Sequence, residues 1–382
     1  MNYTDSLKPA MDLIYLVSCA VNNEKPDKKT VEGFDLPEVL KTAHCHSLSA
    51  AAAFALEKIM ALPEDFKEAK YKAVRRQSLL NFERERVIAV LEDNGIWYIP
   101  LKGVKLKDLY PKSSMREMSD NDILCDGEKM AEIKTLMEGL GFVCTHFEKN
   151  HHDVYEKPPK LCFEMHRNFF NKGDYPDQYE YFEKIKDKKI KDSDNQYGYH
   201  LSNEDFYIYL INHLFIHYRT TGTGLRSLLD IFVFYDKSKD MLDMTYINRE
   251  LEKLGLVEFE RGMRELSVKT FTRQKLTETE LDELGYFIAA GTHGSMENLM
   301  MQQLDNDDSQ KAKKRYILNR IFPSDEHFKR NHPVVFRHKI LYPFWVVYRP
   351  VKAAVTHPKR IIKEVKRLKD FKKKENRGTY NR

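Results

Sequence analysis

Through the first 94 residues apolar positions recur every three or four residues, the period of amphipathic helices. Leu48, Ala51, Ala52, Leu56, Ile59 and Met60 mark one stripe, and Leu79, Leu80, Val87 and Leu91 mark another. Asn94-Gly95 ends the second helix. Beyond Gly95 the apolar runs shorten. Residues 96–101 have strand length, 103–110 predict a short helix stopped by Pro111, and Asn121–Cys125 is a second strand candidate. An amphipathic helix over 128–140, closed by Gly139 and Gly141, leads to three more strand-like runs at 142–148, 152–156 and Leu161–His166. Helical spacing returns at 203–218 and continues through 225–237, 244–254, 258–272, 277–290 and 308–320. Strands interleaved with helices between two helical stretches predict an α+β fold. Residues 95–200 form a small mixed sheet core, 1–94 and 201–350 are helical regions, and 351–382 make a basic amphipathic tail.

Composition narrows the class without changing that picture. The 382 residues are 42% hydrophobic and 32% charged, as in an ordinary water-soluble chain. The longest apolar run, FYIYLINHLFI at 206–216, is too short for a bilayer and carries Asn212 and His213, so it reads as a buried helix. The run at 10–21 contains Asp12, which argues against a secretory signal, and a cytoplasmic location is the expectation. Five scattered cysteines with no C-x-x-C argue against a disulfide framework and a thiolate zinc site. The net charge of +5 is unevenly placed: 351–382 carry twelve Lys/Arg against three Asp/Glu, leaving the other 350 residues at −4. Any contact with an anionic membrane or nucleic acid therefore belongs to the tail, where Ile361, Ile362, Val365, Leu368 and Phe371 trace one helical face below Trp345 and Tyr348. The simpler reading of that tail is a docked helix with a solvated end.

The chemistry concentrates in IPLKGVKLKDLYPKSSMREMSDNDILC, residues 99–125. Asp120 and Asp122 stand two apart at the start of a strand, so both carboxylates leave the same face about 6–7 Å apart. Such a pair can bracket magnesium, which favours one or two carboxylates plus phosphate and water. Two such ions would stabilise the attacking and leaving oxygens of an in-line displacement at phosphorus. Lys102-Gly103 ends the preceding strand, where glycine lets backbone approach a phosphate. In LCFEMHR, Glu164 shares a strand face with His166 while Leu161, Phe163 and Met165 face the other way. Glu164 is therefore the candidate third metal-binding carboxylate and the base for an attacking hydroxyl. Arg116 is a candidate phosphate clamp, since a guanidinium binds phosphate oxygens in pairs.

Leu101, Lys102 and Gly103, then Tyr110-Pro111, Arg116, the Asp120-x-Asp122 pair and Glu164-x-His166 together resemble the uncharacterised bacterial nucleotidyltransferase family of the polymerase-beta-like superfamily. The likeness spans roughly residues 40–240. It implies a nucleotidyltransferase core, metal held by Asp120 and Asp122 with Glu164 as third acid, and transfer from an NTP such as ATP. Two Mg²⁺ ions are implied, with Mn²⁺ as a substitute. The chain departs from the superfamily in one respect. A Gly-Ser or Gly-Gly usually follows the first strand, whereas here the order is Lys102-Gly103-Val104, so Lys102 can replace the missing hydroxyl only as a point charge.

Other constellations carry less. Arg226 and Asp230 are helical i, i+4 neighbours and read as an intrahelical ion pair. His213 and His217 have the same spacing, but Leu214 stands where a zinc-protease helix needs Glu, so they read as partly buried histidines. His44-Cys45-His46 and His151-His152 are contiguous, and side chains of adjacent residues point apart, so neither reads as a metal cage. The leading expectation is magnesium-dependent transfer of a nucleoside monophosphate to a hydroxyl of an acceptor that the sequence leaves open among small molecules, sugars, proteins and RNA. The alternatives are a catalytically silent nucleotide-binding module on the same fold and a metal-dependent glycosyltransferase, which would begin with an α/β unit rather than helices. A phosphatase of the Asp-x-Asp-x-Thr type is disfavoured by Leu124.

Overall fold

The computed structural model describes residues 3–291, apart from Thr221, together with Tyr348. The helix expected at 308–320, Trp345 and the basic tail at 351–382 lie outside the described residues. Residues 1–293 form one compact unit.

Five helices come first: α1 (Tyr3–Val21), α2 (Lys28–Glu32), α3 (Leu36–His46), α4 (Ser49–Leu56) and α5 (Glu64–Asp93). Their entries follow short-range chemistry. The carboxylates of Asp27 and Asp35 accept the N–H groups of Thr30 and Glu38, donors that a first helical turn leaves open. In α4 all five alanines, with Leu56 and Ser49, are buried. Their small side chains let α4 pack closely against both α1 and α5.

The sheet runs from edge to edge as β1 (Tyr98–Pro100), β2 (Asn121–Cys125), β5 (Leu161–His166), β4 (His152–Lys157) and β3 (Val143–His146). β2 and β5 are parallel and the other neighbours antiparallel. The two-residue period sorts the side chains by face. Ile123, Cys125, Phe163 and Met165 are buried with Leu80, Val87 and Leu91 of α5 and with Ile133 and Met137 of α7 (Met130–Gly139). Asp122, Leu124, Glu164 and His166 occupy the other face. The fold is thus α+β around a mixed sheet, as the pattern predicts.

After the sheet come α8 (Pro176–Lys186), a small hairpin of β6 (Ile190–Lys191) and β7 (Tyr199–His200), and then α9 (Asn203–Arg219), α10 (Leu225–Ser238), α11 (Met244–Lys253), α12 (Val257–Phe271) and α13 (Glu278–Ala290). The apolar run 206–216 is the middle of α9, with Phe206 through Leu210 all buried. Leu13 and Val17 of α1 belong to the same core as Leu228 of α10, Leu251 of α11 and Phe271 of α12. The two helical stretches therefore share one apolar interior beside the sheet. Among the described residues no helix is long and apolar enough to cross a membrane.

Two elements differ from the sequence reading. β1 is shorter than 96–101, because Pro100 has no N–H for the ladder and Lys102 turns the chain at φ +38°. The helix over 103–110 is only one α turn, α6 (Gly103–Leu106), followed by a 3₁₀ turn at Lys107–Leu109.

His46 at the end of α3 fastens distant parts of this interior. Its Nδ1 accepts the N–H of Leu225, the first residue of α10, at 3.3 Å, and the ring also meets the backbone of Ile288 in α13. Burial holds its pKa down to about 4. The unfolded chain therefore takes up this proton first as pH falls below about 6.5. Stability drains away between there and about pH 4, by roughly 3 kcal/mol in full. Melting temperatures across that window should fall with acidification, and His46→Gln should remove one proton's share of the slope. A slope unchanged in the variant would count against this account.

Candidate active site

The cleft lies on the polar face of the sheet, opposite α9 and α10, and encloses about 470 Å³. That volume lies within the range of small-molecule sites. Asp120, Asp122, Glu164, Lys102 and Arg226 all line it. Asp122 on β2 and Glu164 on β5 are register partners in the parallel ladder, so their side chains emerge side by side. Asp120, two residues before Asp122, projects from the same face. The three acidic residues singled out in the sequence thus meet in one cleft.

Their charges are not equivalent. Oδ1 of Asp122 accepts from Lys102 Nζ and lies by His166 Nε2, each at 3.1 Å. Burial alone would raise the pKa of Asp122, but Lys102 and His166 outweigh it and hold the carboxyl well below its ordinary value. Asp120 shifts the other way. Burial and the neighbouring charges of Asp122 and Glu164 push its pKa up, and Lys102 offsets this only partly. Lys102 is itself squeezed between burial, which disfavours its charge, and Asp122, which wins and raises its pKa. Its backbone sits at φ +38°, a region a side-chain-bearing residue seldom adopts, and such strain gathers where surroundings force a side chain into place. The carboxylates of Asp122 and Glu164 and one nitrogen of His166 lie within 4.8 Å of one another, a spacing a single metal ion can bridge.

Arg116, the candidate phosphate clamp, lines the cleft with its guanidinium paired inside the protein. Its Nε and Nη2 donate to the two carboxylate oxygens of Asp230, each at 2.8 Å, and Tyr110 Oη donates to the same carboxylate at 2.7 Å. The forked guanidinium matches a carboxylate in two parallel bonds. Gly103 is shaped by this pair as well. A Cβ there would collide with Nη1 of Arg116, so the glycine makes room for a guanidinium.

The expected Arg226–Asp230 pair is accordingly absent among the described ion pairs. Arg226 instead donates from Nη1 to the carbonyl of Glu117 at 2.8 Å, while its buried Nε has no partner. Burial first, and Arg116 second, lower its pKa. Its charge faces the cleft with spare donors. The i, i+4 spacing in the sequence concealed this, because the competitor for Asp230 comes from 114 residues away.

Histidines line the rest of the cleft. His213 and His217 on α9 place their Nε2 atoms 3.1 Å apart. Burial, then the charge of Lys102, keeps both pKa values low, His217 at about 4. They are partly buried, as the sequence suggests. His151 and His152 depart from expectation: although consecutive, their rings do not point apart but touch at a centroid distance of 4.6 Å. His44 and His46 do diverge, toward Ser49 and Leu225.

A mixed sheet with an acidic cleft on one face and helices around it fits a nucleotidyltransferase core. The family described as uncharacterised nucleotidyltransferase matches residues 32–272, more than half of the chain, and the chain belongs to that family. The match takes in all of α3 and the whole chain from there through α12, a wider span than the motifs suggested. No curated protein and no solved structure matches the chain.

Proposed function

We propose that the cleft transfers a nucleoside monophosphate from an NTP to an acceptor hydroxyl, with magnesium held by Asp120 and Asp122 and completed by Glu164. The observation that carries this reading is the parallel register of Asp122 and Glu164, which sets two carboxylates at one level beside Asp120. The donor set suits a hard divalent ion, because oxygen ligands dominate and the crowding that raises the pKa of Asp120 is relieved by a cation. Magnesium, when bound, withdraws charge from the phosphates and favours departure of pyrophosphate.

The protein's own groups supply the rest. Glu164, partly exposed in the cleft, takes the proton of the acceptor hydroxyl as its oxygen attacks the α-phosphorus. The new O–P bond forms as the bond to the pyrophosphate oxygen breaks. Lys102 and Arg226 face the phosphates, and Arg226 takes the clamp role first expected of Arg116, which also lines the cleft but has its guanidinium paired with Asp230. A second reading, a silent nucleotide-binding module, draws on the Lys102–Asp122 ion pair, which neutralises a metal-binding carboxylate, and on the missing hydroxyl after β1.

Calorimetry with ATP, GTP, CTP and UTP, with and without magnesium, tests the donor. Labelled NTPs incubated with the protein and cell extract, followed by mass spectrometry, test transfer. Magnesium-dependent binding with a nucleotidylated product and released pyrophosphate is the expected outcome. Failure of all four nucleotides to bind sinks the proposal, and binding without pyrophosphate release favours the silent module.

A further inference from the structure

Beside the carboxylates sits a second constellation on which nucleotidyl transfer makes no call. His152 opens β4 and is the register partner of His166 on β5, so both rings stand on the cleft face. His151 precedes the strand at a bend. Its carbonyl accepts the N–H of Arg167 at 2.9 Å, which pins the bend to the end of β5. The bend turns consecutive side chains toward each other. Ring centroids lie 4.6 Å apart for His151 and His152, 4.8 Å for His152 and His166, and 5.3 Å for His151 and His166. One nitrogen from each ring falls within 4.8 Å of the other two. Nε2 of His166 faces Asp122 while its Nδ1 is buried with no hydrogen-bond partner, an arrangement that burial penalises unless something ligates that nitrogen.

We propose that His151, His152 and His166 bind a borderline divalent transition metal of the zinc class, at a site separate in its ligands from the oxygen-rich magnesium site and adjoining it at His166. Nitrogens bound at about 2.0–2.1 Å around a tetrahedral ion lie roughly 3.4 Å apart. His151 Nε2 and His152 Nδ1 are already 3.4 Å apart. Imidazole selects zinc, nickel, copper or iron, whereas magnesium prefers oxygen. The ligating form is the neutral ring, so zinc binding at this site releases any proton the rings carry. Glu164 Oε2 lies 3.8 Å from His152 Nε2, the nitrogen turned away from His151, where it can orient the ring from outside the shell. This inference does not rest on the nucleotidyl-transfer reading, and its test contains no nucleotide.

The experiment titrates the full-length, metal-stripped protein with CoCl₂ in excess magnesium and follows the visible ligand-field absorption, then displaces cobalt with ZnCl₂. A band saturating at a single equivalent and lost on zinc addition is expected. His151→Gln leaves the β4–β5 ladder intact and, as loss of a direct ligand, should weaken zinc binding by more than the roughly 10–100-fold that loss of an outer-shell partner costs. The double variant His151→Gln/His152→Gln should lose the band, with circular dichroism showing that it folds. A wild-type protein without the band, or a folded double variant that binds cobalt and zinc undiminished, overturns the proposal.

Discussion

Asp120→Asn should abolish nucleotidyl transfer while leaving the melting temperature at or above that of the wild type. A metal that organises an in-line displacement is worth several kcal/mol in the transition state, and three decades of rate correspond to about 4 kcal/mol. A loss of about 10³-fold or more is therefore expected. The stability side follows from the crowded carboxylates. Asp120 has its pKa raised by burial and by the charges of Asp122 and Glu164, so its ionised form is disfavoured in the fold and a neutral amide relieves repulsion. Asp122→Asn should remove activity to the same extent but also lower the melting temperature. It replaces the charge that Lys102 and His166 share with a neutral amide and leaves a buried ammonium without its counter-ion. The contrast between neighbouring aspartates is the discriminating result. Wild-type turnover in Asp120→Asn, measured as released pyrophosphate, would remove the metal assignment, and equal melting temperatures in the two variants would remove the electrostatic one.

The largest stability effect should come from Asp230. This carboxylate accepts both bonds of Arg116 and the hydroxyl of Tyr110, and both partners of the ion pair are buried. Asp230→Ala leaves a buried guanidinium and a buried hydroxyl without their acceptor, a loss of about 3–5 kcal/mol. For a unit of this size that corresponds to a melting temperature lower by about 10 °C. Replacing both charges, as in Arg116→Met with Asp230→Leu, should recover much of the loss, because no unpaired charge stays behind. If the double variant melts no higher than Asp230→Ala, the pair does not act as a unit. The pair also ties the segment before β2 to α10, which carries Arg226, so the same variant should weaken nucleotide binding.

The contrast between these two sites tracks how far apart in the chain each partner lies. Residues 120–124 announce a strand bearing two carboxylates because period and spacing are local properties. Alternation in Leu161–His166 likewise separates Glu164 and His166 from the apolar face without reference to any other residue. The helices were legible for the same reason, since a stripe every three or four residues reflects nothing beyond the chain itself. Local pattern failed where it was faint. The stretch holding α8 and the β6–β7 hairpin mixes aromatic and charged residues with no clean period, and neither element was foreseen.

Partner choice was a different matter. Asp230 has a candidate cation one helical turn away in Arg226, and local spacing favours that pair. The fold brings Arg116 to it in a two-bond geometry and leaves Arg226 facing the cleft. His151 and His152 diverge on any regular strand or helix, and only the bend held by the Arg167 N–H brings them together beside His166. Hydrophobic periodicity is written residue by residue, so elements and their polar faces follow directly from the chain. Which charges pair, and which remain open to a ligand, depends on distances across the folded core, where a guanidinium 114 residues away can outcompete the one on the carboxylate's own helix.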